Sequence, residues 1–510
     1  WAEFYRAREG VSYWVDIDDS WLGDTEMSEH APDFLAALNE AASHGLDINE
    51  YPVKKLEELL DSPPEAPADL AEVEIAMMSA YLRYYRHLTQ GRYPKLAEKT
   101  GWFIKHRDYN EKAALQLLAE KGPHKALQEA LPSVPEYELL RKARPRMLRI
   151  AQAGGWPKVE GDGLVRPGER SPEIPNLRER LAISGELTNA EPQGEAVNDP
   201  NLFDPATVAA FKAFQERHGI KVDGVIGPNA RAMLSYPAKE RLAQIDANLE
   251  RLRWMPQHLE DDRIMVNIAA YYFRGYRDGE VDTEMRVVVG DEQHQTPAFS
   301  DKLEYMEVNP YWTVPNSIII NELAPKLVEN PDYLAARNMS IYENWDYDSE
   351  LIDPASIDWD EYAHSGKNFP YVIRQAPGLG NALGRIKFMF PNDYSIYLHD
   401  TPEDELFKEA DRTFSHGCIR LERPIDVADF VLRNTANWDV GRVKAALQSM
   451  DNISIALNEK DRMPVYIYYV TAWADEVGEL YFRPDLYKRD ALLIDAFRKT
   501  KLEAQAASEE

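Results

Sequence analysis

The only cysteine of the chain, Cys418, is surrounded by residue types that can activate a thiol. A thiolate is the reactive form of cysteine, and an imidazole can take up its proton. The sequence supplies such an imidazole in His399. After fifteen further residues comes a short polar run, Ser415-His416-Gly417-Cys418-Ile419-Arg420. This spacing indicates acyl transfer, with Cys418 as nucleophile and His399 as general acid/base.

The other residues of the run have plausible supporting roles. Gly417 has no Cβ and lets a substrate backbone approach closely. The backbone N–H groups of Gly417 and Cys418 could bind an oxyanion, and loss of one such donor costs ~2.7–4 kcal/mol of transition-state stabilisation. Ser415 is expected to hold the loop, His416 to support the site, and Arg420 to bind a substrate carboxylate through its planar fork.

A structural reading of the same residues stays open. A single cysteine is often an inert core residue, His399 could be a satisfied strand histidine, and Gly417 could be a simple turn. A zinc site would need three or four clustered ligands, and a nucleotide site of the P-loop type needs a glycine-rich string that the sequence lacks. Acyl transfer is therefore favoured by the joint occurrence of these residues around one thiol.

The elements that position the site are predicted to be β-strands. From about residue 260 the hydrophobic period changes to two, and "TEMRVVVG", "LEYMEVNPYWTVP" and "SIII" all resemble strands. The turn Pro391-Asn392-Asp393 predicts a hairpin whose second strand is Tyr394–His399. If Ile396 and Leu398 face the core, alternation puts Ser395, Tyr397 and His399 on the open side. A helix is predicted at 425–432.

The first half of the chain is predicted to be helical. Apolar residues recur at helical spacing in 32–47 and 71–88, and a Gly/Pro-rich stretch at 154–175 marks a boundary. A second helical unit follows, in which Asp204 is the expected N-cap and Pro205 the first helical residue. Leu187 to Pro200 is expected to be a surface loop.

The overall charge limits the function. The formal net charge is −29, so nucleic acid is excluded as a partner, because phosphate binding needs a basic surface. A lipid surface is disfavoured for the same reason, and no apolar run reaches the ~18 residues of a membrane span.

The polar run resembles the signature of the L,D-transpeptidase catalytic domain (the YkuD-like family), which is a histidine, a spacer, Ser/Thr-His-Gly-Cys and an arginine two positions on. Leu421-Glu422 departs from the asparagine that often follows in that family. A second stretch, 201–234, resembles a peptidoglycan-binding domain, with matching residues Phe214-Gln215, Gly219, Asp223-Gly224 and Gly227-Pro228. Three further segments are similar to the large YcbB-like branch: "YLRYYRHLTQGRY", "RQAPGLGNALGRIKFMF" and "VYIYYVTAWADEVGELYFR".

This resemblance implies an α+β multidomain fold. A helical scaffold domain (1–165, completed by 451–510) would precede a small three-helix peptidoglycan-binding module (166–238). A β-rich catalytic domain (239–450) would follow, with 322–371 as an inserted capping subdomain. Tyr397 and Arg420 would bind substrate.

The implied activity is 3→3 cross-linking of peptidoglycan stem peptides, between a donor tetrapeptide and an acceptor diaminopimelate, through a Cys418 thioester. No metal or other cofactor is expected, and carbapenems are expected covalent inhibitors. The expected compartment is the periplasm of a Gram-negative bacterium, with no signal or anchor in this chain. Two alternatives remain: a related L,D-carboxypeptidase or exchange activity, and a non-catalytic peptidoglycan-binding scaffold.

Overall fold

The computed structural model describes residues 1–9, 11–17, 25–62, 66–188, 190, 199–365 and 367–509. Part of the predicted surface loop, 189 and 191–198, lies outside the described residues. The chain divides into two compact units, 1–259 with 469–510, and 260–468. No helix among the described residues combines the length and the apolar character that crossing a bilayer demands.

The α-helices of the described residues are α1 (Ala2–Ala7), α2 (His30–Asn39), α3 (Val53–Asp61), α4 (Pro67–Gln90), α5 (Glu111–Lys121), α6 (Pro123–Glu129), α7 (Pro135–Gln152), α8 (Ile174–Ser184), α9 (Pro205–Arg217), α10 (Pro228–Leu234), α11 (Ala238–Leu252), α12 (Asn316–Ile318), α13 (Ala324–Glu329), α14 (Trp359–Ser365), α15 (Pro424–Leu432), α16 (Val440–Ser449) and α17 (Arg489–Glu509). The strands are β1 (Val15–Ile17), β2 (Thr25–Met27), β3 (Arg263–Asn267), β4 (Tyr272–Arg277), β5 (Glu280–Gly290), β6 (Phe299–Leu303), β7 (Tyr305–Val308), β8 (Trp312–Thr313), β9 (Met339–Tyr342), β10 (Leu351–Ile352), β11 (Val372–Gln375), β12 (Ile386–Met389), β13 (Leu398–His399), β14 (Thr413–Ser415), β15 (Ile419–Leu421), β16 (Ile453–Ala456), β17 (Met463–Tyr468), β18 (Ala472–Ala474) and β19 (Leu480–Phe482).

The first unit is mainly helical, as predicted. Its N-terminal core packs aromatic rings from separate segments, with centroid distances of 5.3 Å for Trp14–Phe34 and 5.9 Å for Phe34–Tyr81. The buried carboxylate of Glu74 on α4 accepts hydrogen bonds from the backbone N–H groups of Tyr13 and Trp14, at 2.7 and 2.9 Å. This buried acceptor fixes the N-terminal segment against α4, because it satisfies two backbone donors away from water.

The segment expected to be a peptidoglycan-binding module lies in the same unit and contains the three helices α8, α9 and α10. Asp204 is the N-cap of α9, as predicted, and accepts hydrogen bonds from the N–H groups of Ala206 and Thr207 at 2.9 and 3.0 Å. The other carboxylate oxygen of Asp204 binds the buried guanidinium of Arg178 at 2.7 Å. Apolar faces of the helices form its core: Ile174, Leu177, Leu181, Phe211, Phe214 and Leu234 are all buried.

The second unit contains an eleven-stranded sheet with the order β16-β7-β12-β13-β15-β5-β4-β3-β17-β6, and β14 pairs with β5. The pairing of β13 with β15 is parallel, and the pairing of β12 with β13 is the antiparallel hairpin that the sequence predicts. The helix predicted at 425–432 is α15. The fold class is therefore α+β, with a helical region, a peptidoglycan-binding module and a β-rich domain.

The division between the units differs from the predicted boundaries. Residues 453–468 lie in the second unit, because β16 pairs with β7 and β17 lies between β3 and β6. The predicted start of the catalytic domain at 239 falls inside α11, which belongs to the first unit. The last hairpin, β18–β19, and α17 also belong to the first unit.

The "SIII" segment is not a strand, and this prediction was wrong. It forms α12 and a π-helical turn, Ile319–Leu323. Ile319 and Leu323 are four residues apart and both are buried in a small separate core that extends from Val314 to Ile373. The same part of the chain also forms a four-stranded sheet with the strand order β10-β9-β11-β8. The helical spacing of these two side chains therefore decided the local structure.

Candidate active site

Cys418 lies in a short loop between β14 and β15. Strands β13 and β15 are parallel neighbours, with Leu398 opposite Ile419 and His399 opposite Arg420. The residues that directly precede the two strands, Tyr397 and Cys418, therefore also lie side by side. The N–H of Ile419 donates to the carbonyl of Tyr397 at 3.1 Å. The same face of the sheet thus carries Tyr397 and His399 from one strand, and Cys418 and Arg420 from the next.

The thiol of Cys418 has two polar neighbours. It donates to the carbonyl oxygen of Ser395, 3.7 Å away, and Tyr397 lies beside it on the same face of the sheet. Burial raises the pKa of Cys418, while Tyr397 and the cationic groups of Lys387 and Arg420 act to lower it. Burial and the neighbouring Cys418 hold the pKa of Tyr397 well above its usual range, so its hydroxyl remains a donor.

His399 is buried, whereas alternation from the sequence put it on the open side. Ile396 and Leu398 are buried as expected, but the predicted strand is confined to Leu398–His399, and Ser395 has a φ of 57°. The Nδ1–H of His399 donates to the carbonyl oxygen of Asp400 at 2.5 Å. Burial, and then the charge of Arg420, lower the pKa of His399 to about 3. The ring is therefore neutral at physiological pH, as a base must be.

His399 lies near Cys418 in the sheet, but the two side chains are not hydrogen-bonded. Within the described residues, the thiol has one hydrogen bond, to the carbonyl of Ser395, and none with His399. The ring centroids of Tyr397 and His399 are 5.6 Å apart. Catalytic hydrogen bonds are often long or absent before substrate binds, so this geometry is compatible with a base that closes on the thiol later.

Ser415 and Thr296 hold the loop in shape. The hydroxyl of Ser415 donates to the carbonyl of Cys418 at 2.5 Å and accepts from the N–H of Gly417 at 3.1 Å. The hydroxyl of Thr296 donates to the carbonyl of Gly417 at 2.8 Å and accepts from the N–H of Gly290 at 3.0 Å. Gly417 has a φ of 111°, which strongly favours glycine. Its N–H, one of the two predicted oxyanion donors, is occupied by Ser415 in this state.

His416 contacts residues outside the loop of Cys418. Gly417, with its positive φ, lies between the two, so the backbone from His416 to Cys418 is not extended. Its Nε2 lies 2.6 Å from Oε1 of Glu322, on the π-helical turn, and its ring lies 4.5 Å from the ring of His294. Nδ1 of His294 lies in turn 3.0 Å from a carboxylate oxygen of Asp291. His416 therefore connects the loop of the nucleophile to the inserted subdomain.

Arg420 already has a carboxylate partner. Its guanidinium pairs with Glu403 and lies 3.5 Å from the hydroxyl of Thr401. The side chain of Glu403 is largely exposed, so a substrate carboxylate could replace it without removing a buried group from the protein.

Sequence reasoning missed four residues that contact or hold the site: Lys387, Thr296, Asp400 and Glu322. Lys387 lies opposite His399 in the β12–β13 hairpin, so the register of that hairpin would have revealed it. Asp400 directly follows His399 and supplies the carbonyl that orients the ring. Thr296 and Glu322 reach the loop from distant segments, and their spacing in the sequence carries no signal of it.

Comparisons with known families agree with this geometry. Residues 261–467 match the "L,D-transpeptidase catalytic domain", residues 1–143 match the "Scaffold domain", and residues 170–234 match the "Putative peptidoglycan binding domain". A Haemophilus influenzae protein named "Putative L,D-transpeptidase" is 39% identical over 243 residues, which are 48% of this chain and 47% of that protein. The match thus spans about half the length of this curated relative.

Solved structures of L,D-transpeptidases also match, at low overall likeness. The E. faecium catalytic domain acylated by ertapenem is 14% identical, with 41% of this chain and 99% of that chain covered and a TM-score of 0.20. The enzyme from Mycobacterium smegmatis is 13% identical, with 41% and 58% covered and a TM-score of 0.18. Likeness at this level carries no weight here. The family matches do: residues 261–467 are similar to the L,D-transpeptidase catalytic domain, and residues 170–234 are similar to a peptidoglycan-binding domain.

Proposed function

We propose that this chain is a peptidoglycan L,D-transpeptidase that forms 3→3 cross-links through a Cys418 thioester, with His399 as acid and base. The observation that carries the proposal is the position of Cys418. The only thiol of the chain shares one face of the sheet with Tyr397, His399 and Arg420.

Acylation begins with transfer of the thiol proton to His399. The resulting thiolate attacks the carbonyl carbon of the third residue of a donor tetrapeptide, and the C–N bond to the terminal D-Ala breaks. The imidazolium returns its proton to the leaving amine. His399 can accept this proton only in its neutral form, and its low pKa keeps it neutral. The carbonyl of Asp400 favours the ring tautomer that carries Nδ1–H.

Deacylation repeats the sequence with a different nucleophile. The side-chain amine of an acceptor diaminopimelate attacks the thioester carbonyl while His399 takes its proton, and the C–S bond breaks. The thiolate recovers that proton, and the new amide is the 3→3 cross-link. The thioester conserves the acyl potential, so this scheme consumes no nucleotide.

The surrounding residues have roles that fit these steps. Arg420 would exchange its exposed partner Glu403 for a stem-peptide carboxylate. The N–H of Cys418 would bind the oxyanion, joined by that of Gly417 once Ser415 releases it. The compartment that suits this substrate is the cell envelope, and we place the protein in the periplasm of a Gram-negative bacterium.

Mass spectrometry of muropeptide reactions tests the proposal. The chain should convert disaccharide tetrapeptides into 3→3 dimers, and Cys418→Ala should form none. Dimers from Cys418→Ala at the unaltered rate would exclude a thioester route. Tripeptides without dimers would indicate a carboxypeptidase, and exchange of the terminal residue alone would indicate an exchange enzyme.

Intact-mass analysis with a carbapenem separates an enzyme from a binding scaffold. Because the chain has one cysteine, a mass increase of one drug molecule that disappears in Cys418→Ala locates the adduct. His399→Ala should slow its formation. A chain that binds peptidoglycan but forms neither adduct nor product is a scaffold.

A further inference from the structure

Lys387 occupies an unusual place for a lysine, the interior of the catalytic sheet. It lies on β12, between Glu307 on β7 and His399 on β13, and all three share one face. Its neighbours in the strand, Ile386 and Phe388, face the opposite side and are buried. The side chain of Lys387 is only 15% exposed. The polar face of the sheet therefore carries an ammonium group close to the nucleophile.

The contacts of this ammonium are not those of a close ion pair that would stabilise the fold. Its Nζ lies 3.9 Å from Oε2 of Glu307, beyond hydrogen-bond distance, and among the described residues Nζ makes no hydrogen bond. Burial lowers the pKa of Lys387, because the charged ammonium loses hydration at this position. An apolar side chain of similar volume would serve the sheet as well or better.

The ammonium instead faces Tyr397 and Cys418. Nζ lies 4.4 Å from the centroid of the Tyr397 ring, in cation–π geometry. That ring lies beside Cys418 on the same face of the sheet. The influence is reciprocal, since the charge of Lys387 lowers the pKa of Cys418 and the charge of Cys418 raises the pKa of Lys387. His399, being neutral, supplies no such positive charge before it accepts the proton.

We propose that Lys387 is a positioning residue for the nucleophile, which stabilises the Cys418 thiolate by its charge and fixes the Tyr397 ring that donates to the sulfur. The charged and titratable groups that face it are Glu307 from β7, Tyr397 and His399 from the β13 segment, and Cys418 with Arg420 from the β15 segment. Arg420 supports the same thiolate but is neutralised by Glu403, so Lys387 is the less compensated cation.

The inference deepens the proposed function, but its test does not depend on turnover. The 510-residue chain is alkylated with iodoacetamide across pH 5–10, and because there is one cysteine the rate reports Cys418 alone. Lys387→Met should move the midpoint of the alkylation profile upward and slow the reaction at pH 7 about three- to tenfold, since one pKa unit changes the thiolate fraction tenfold. Lys387→Arg should restore most of the rate.

Two further variants make the result decisive. Lys302→Met removes an exposed positive charge from β6 of the same sheet and should leave the profile unchanged. Glu307→Gln removes the negative charge nearest Lys387 and should lower the midpoint and accelerate alkylation at pH 7. This variant also decides the question if Lys387→Met fails to fold.

An unchanged profile in folded Lys387→Met, or an unchanged or raised midpoint in Glu307→Gln, overturns the proposal. A raised KM for stem peptide in Lys387→Met with an unchanged alkylation profile would also overturn it, since Lys387 would then bind substrate. Wild-type protein that alkylates as described but forms no cross-links would contradict the proposed function and leave the conclusion on Lys387 intact.

Discussion

Tyr397 and Cys418 lie beside each other on one face of the sheet, although the two residues are 21 positions apart in the sequence. As a donor to the sulfur, Tyr397 acts to lower the pKa of Cys418. The parallel pairing of β13 with β15 creates this contact, because each residue directly precedes its strand. Hydrogen bonds to charged groups are worth about 1.5–3 kcal/mol. The contact therefore favours the thiolate by an amount that kinetics can detect.

Tyr397→Phe should raise the pKa of Cys418 and slow iodoacetamide alkylation at pH 7 by about tenfold or more, since 1.36 kcal/mol corresponds to one pKa unit. The ring and its packing remain, so the stability should change little. Tyr394→Phe is the matched control, because Tyr394 is exposed on the same hairpin. Equal alkylation rates for Tyr397→Phe and the wild type would show that the hydroxyl does not stabilise the thiolate.

Thr296→Val should loosen the loop of the nucleophile. The hydroxyl of buried Thr296 joins the N–H of Gly290 to the carbonyl of Gly417, and valine of the same shape removes both of these hydrogen bonds. We expect a loss of about 1–3 kcal/mol in the free energy of unfolding, and slower acylation by a carbapenem. Thr283→Val, whose hydroxyl makes no hydrogen bond within the described residues, should be neutral. Urea unfolding with equal midpoints for Thr296→Val and wild type would refute the role.

The low pKa of His399 predicts how stability depends on pH. In the unfolded chain the imidazole has a pKa near 6.5, but in the folded protein burial, and then Arg420, lower it to about 3. Between pH 6.5 and 3 the unfolded state takes up a proton that the folded state does not. His399 therefore destabilises the fold progressively as the pH falls through this window, and the penalty is absent above it.

Unfolding of His399→Asn by urea, measured from pH 7.5 to 4, checks this expectation. The free energy of unfolding of the wild type should fall relative to that of the variant as the pH decreases. The comparison concerns the slopes, so any packing loss from the substitution itself does not matter. Parallel curves for the two proteins would mean that His399 is protonated in the folded state near its ordinary pKa.

Asp204→Asn should destabilise the peptidoglycan-binding module strongly. The amide can still cap α9. Both side chains of the Asp204–Arg178 ion pair are buried, however, and the guanidinium of Arg178 loses its carboxylate partner. Removing one partner of a buried pair costs about 3–5 kcal/mol. Asp199→Asn breaks the pair with Arg170, which is exposed on the same module, and should cost at most about 1 kcal/mol. Thermal unfolding of both variants measures the difference, and equal losses would contradict it.

Protonation of Asp204 at low pH should cause the same loss of stability in the wild type. Burial acts to raise the pKa of Asp204, but hydrogen bonds from Thr207 and Arg178 outweigh it and lower the pKa. A lowered carboxyl pKa gives stability that is present above the unfolded value near 3.8 and lost as the pH falls through the folded value. Asp204→Asn should therefore lose less stability than the wild type below pH 4, as measured by thermal unfolding at each pH.

Local features of the sequence identified much of the architecture. Asp204 and Pro205 predict the start of α9, because N-caps depend on a few adjacent atoms. The 391–393 turn predicts the β12–β13 hairpin, and period-two alternation places Ile396 and Leu398 in the core. "SIII" failed as a strand, because a short apolar run fits either period until its packing partners are known.

The sequence by itself determined the nucleophile candidate, its histidine and the glycine whose φ is positive, since these lie in one short stretch and its spacing. Only the tertiary structure decided what surrounds the sulfur. It brings Lys387 and Tyr397 to the face that carries Cys418, commits His399 to the carbonyl of Asp400, and turns His416 toward Glu322. The physical reason is that the charge environment of a thiol depends on distances across paired strands, and the register of those strands is set by the packing of the whole sheet.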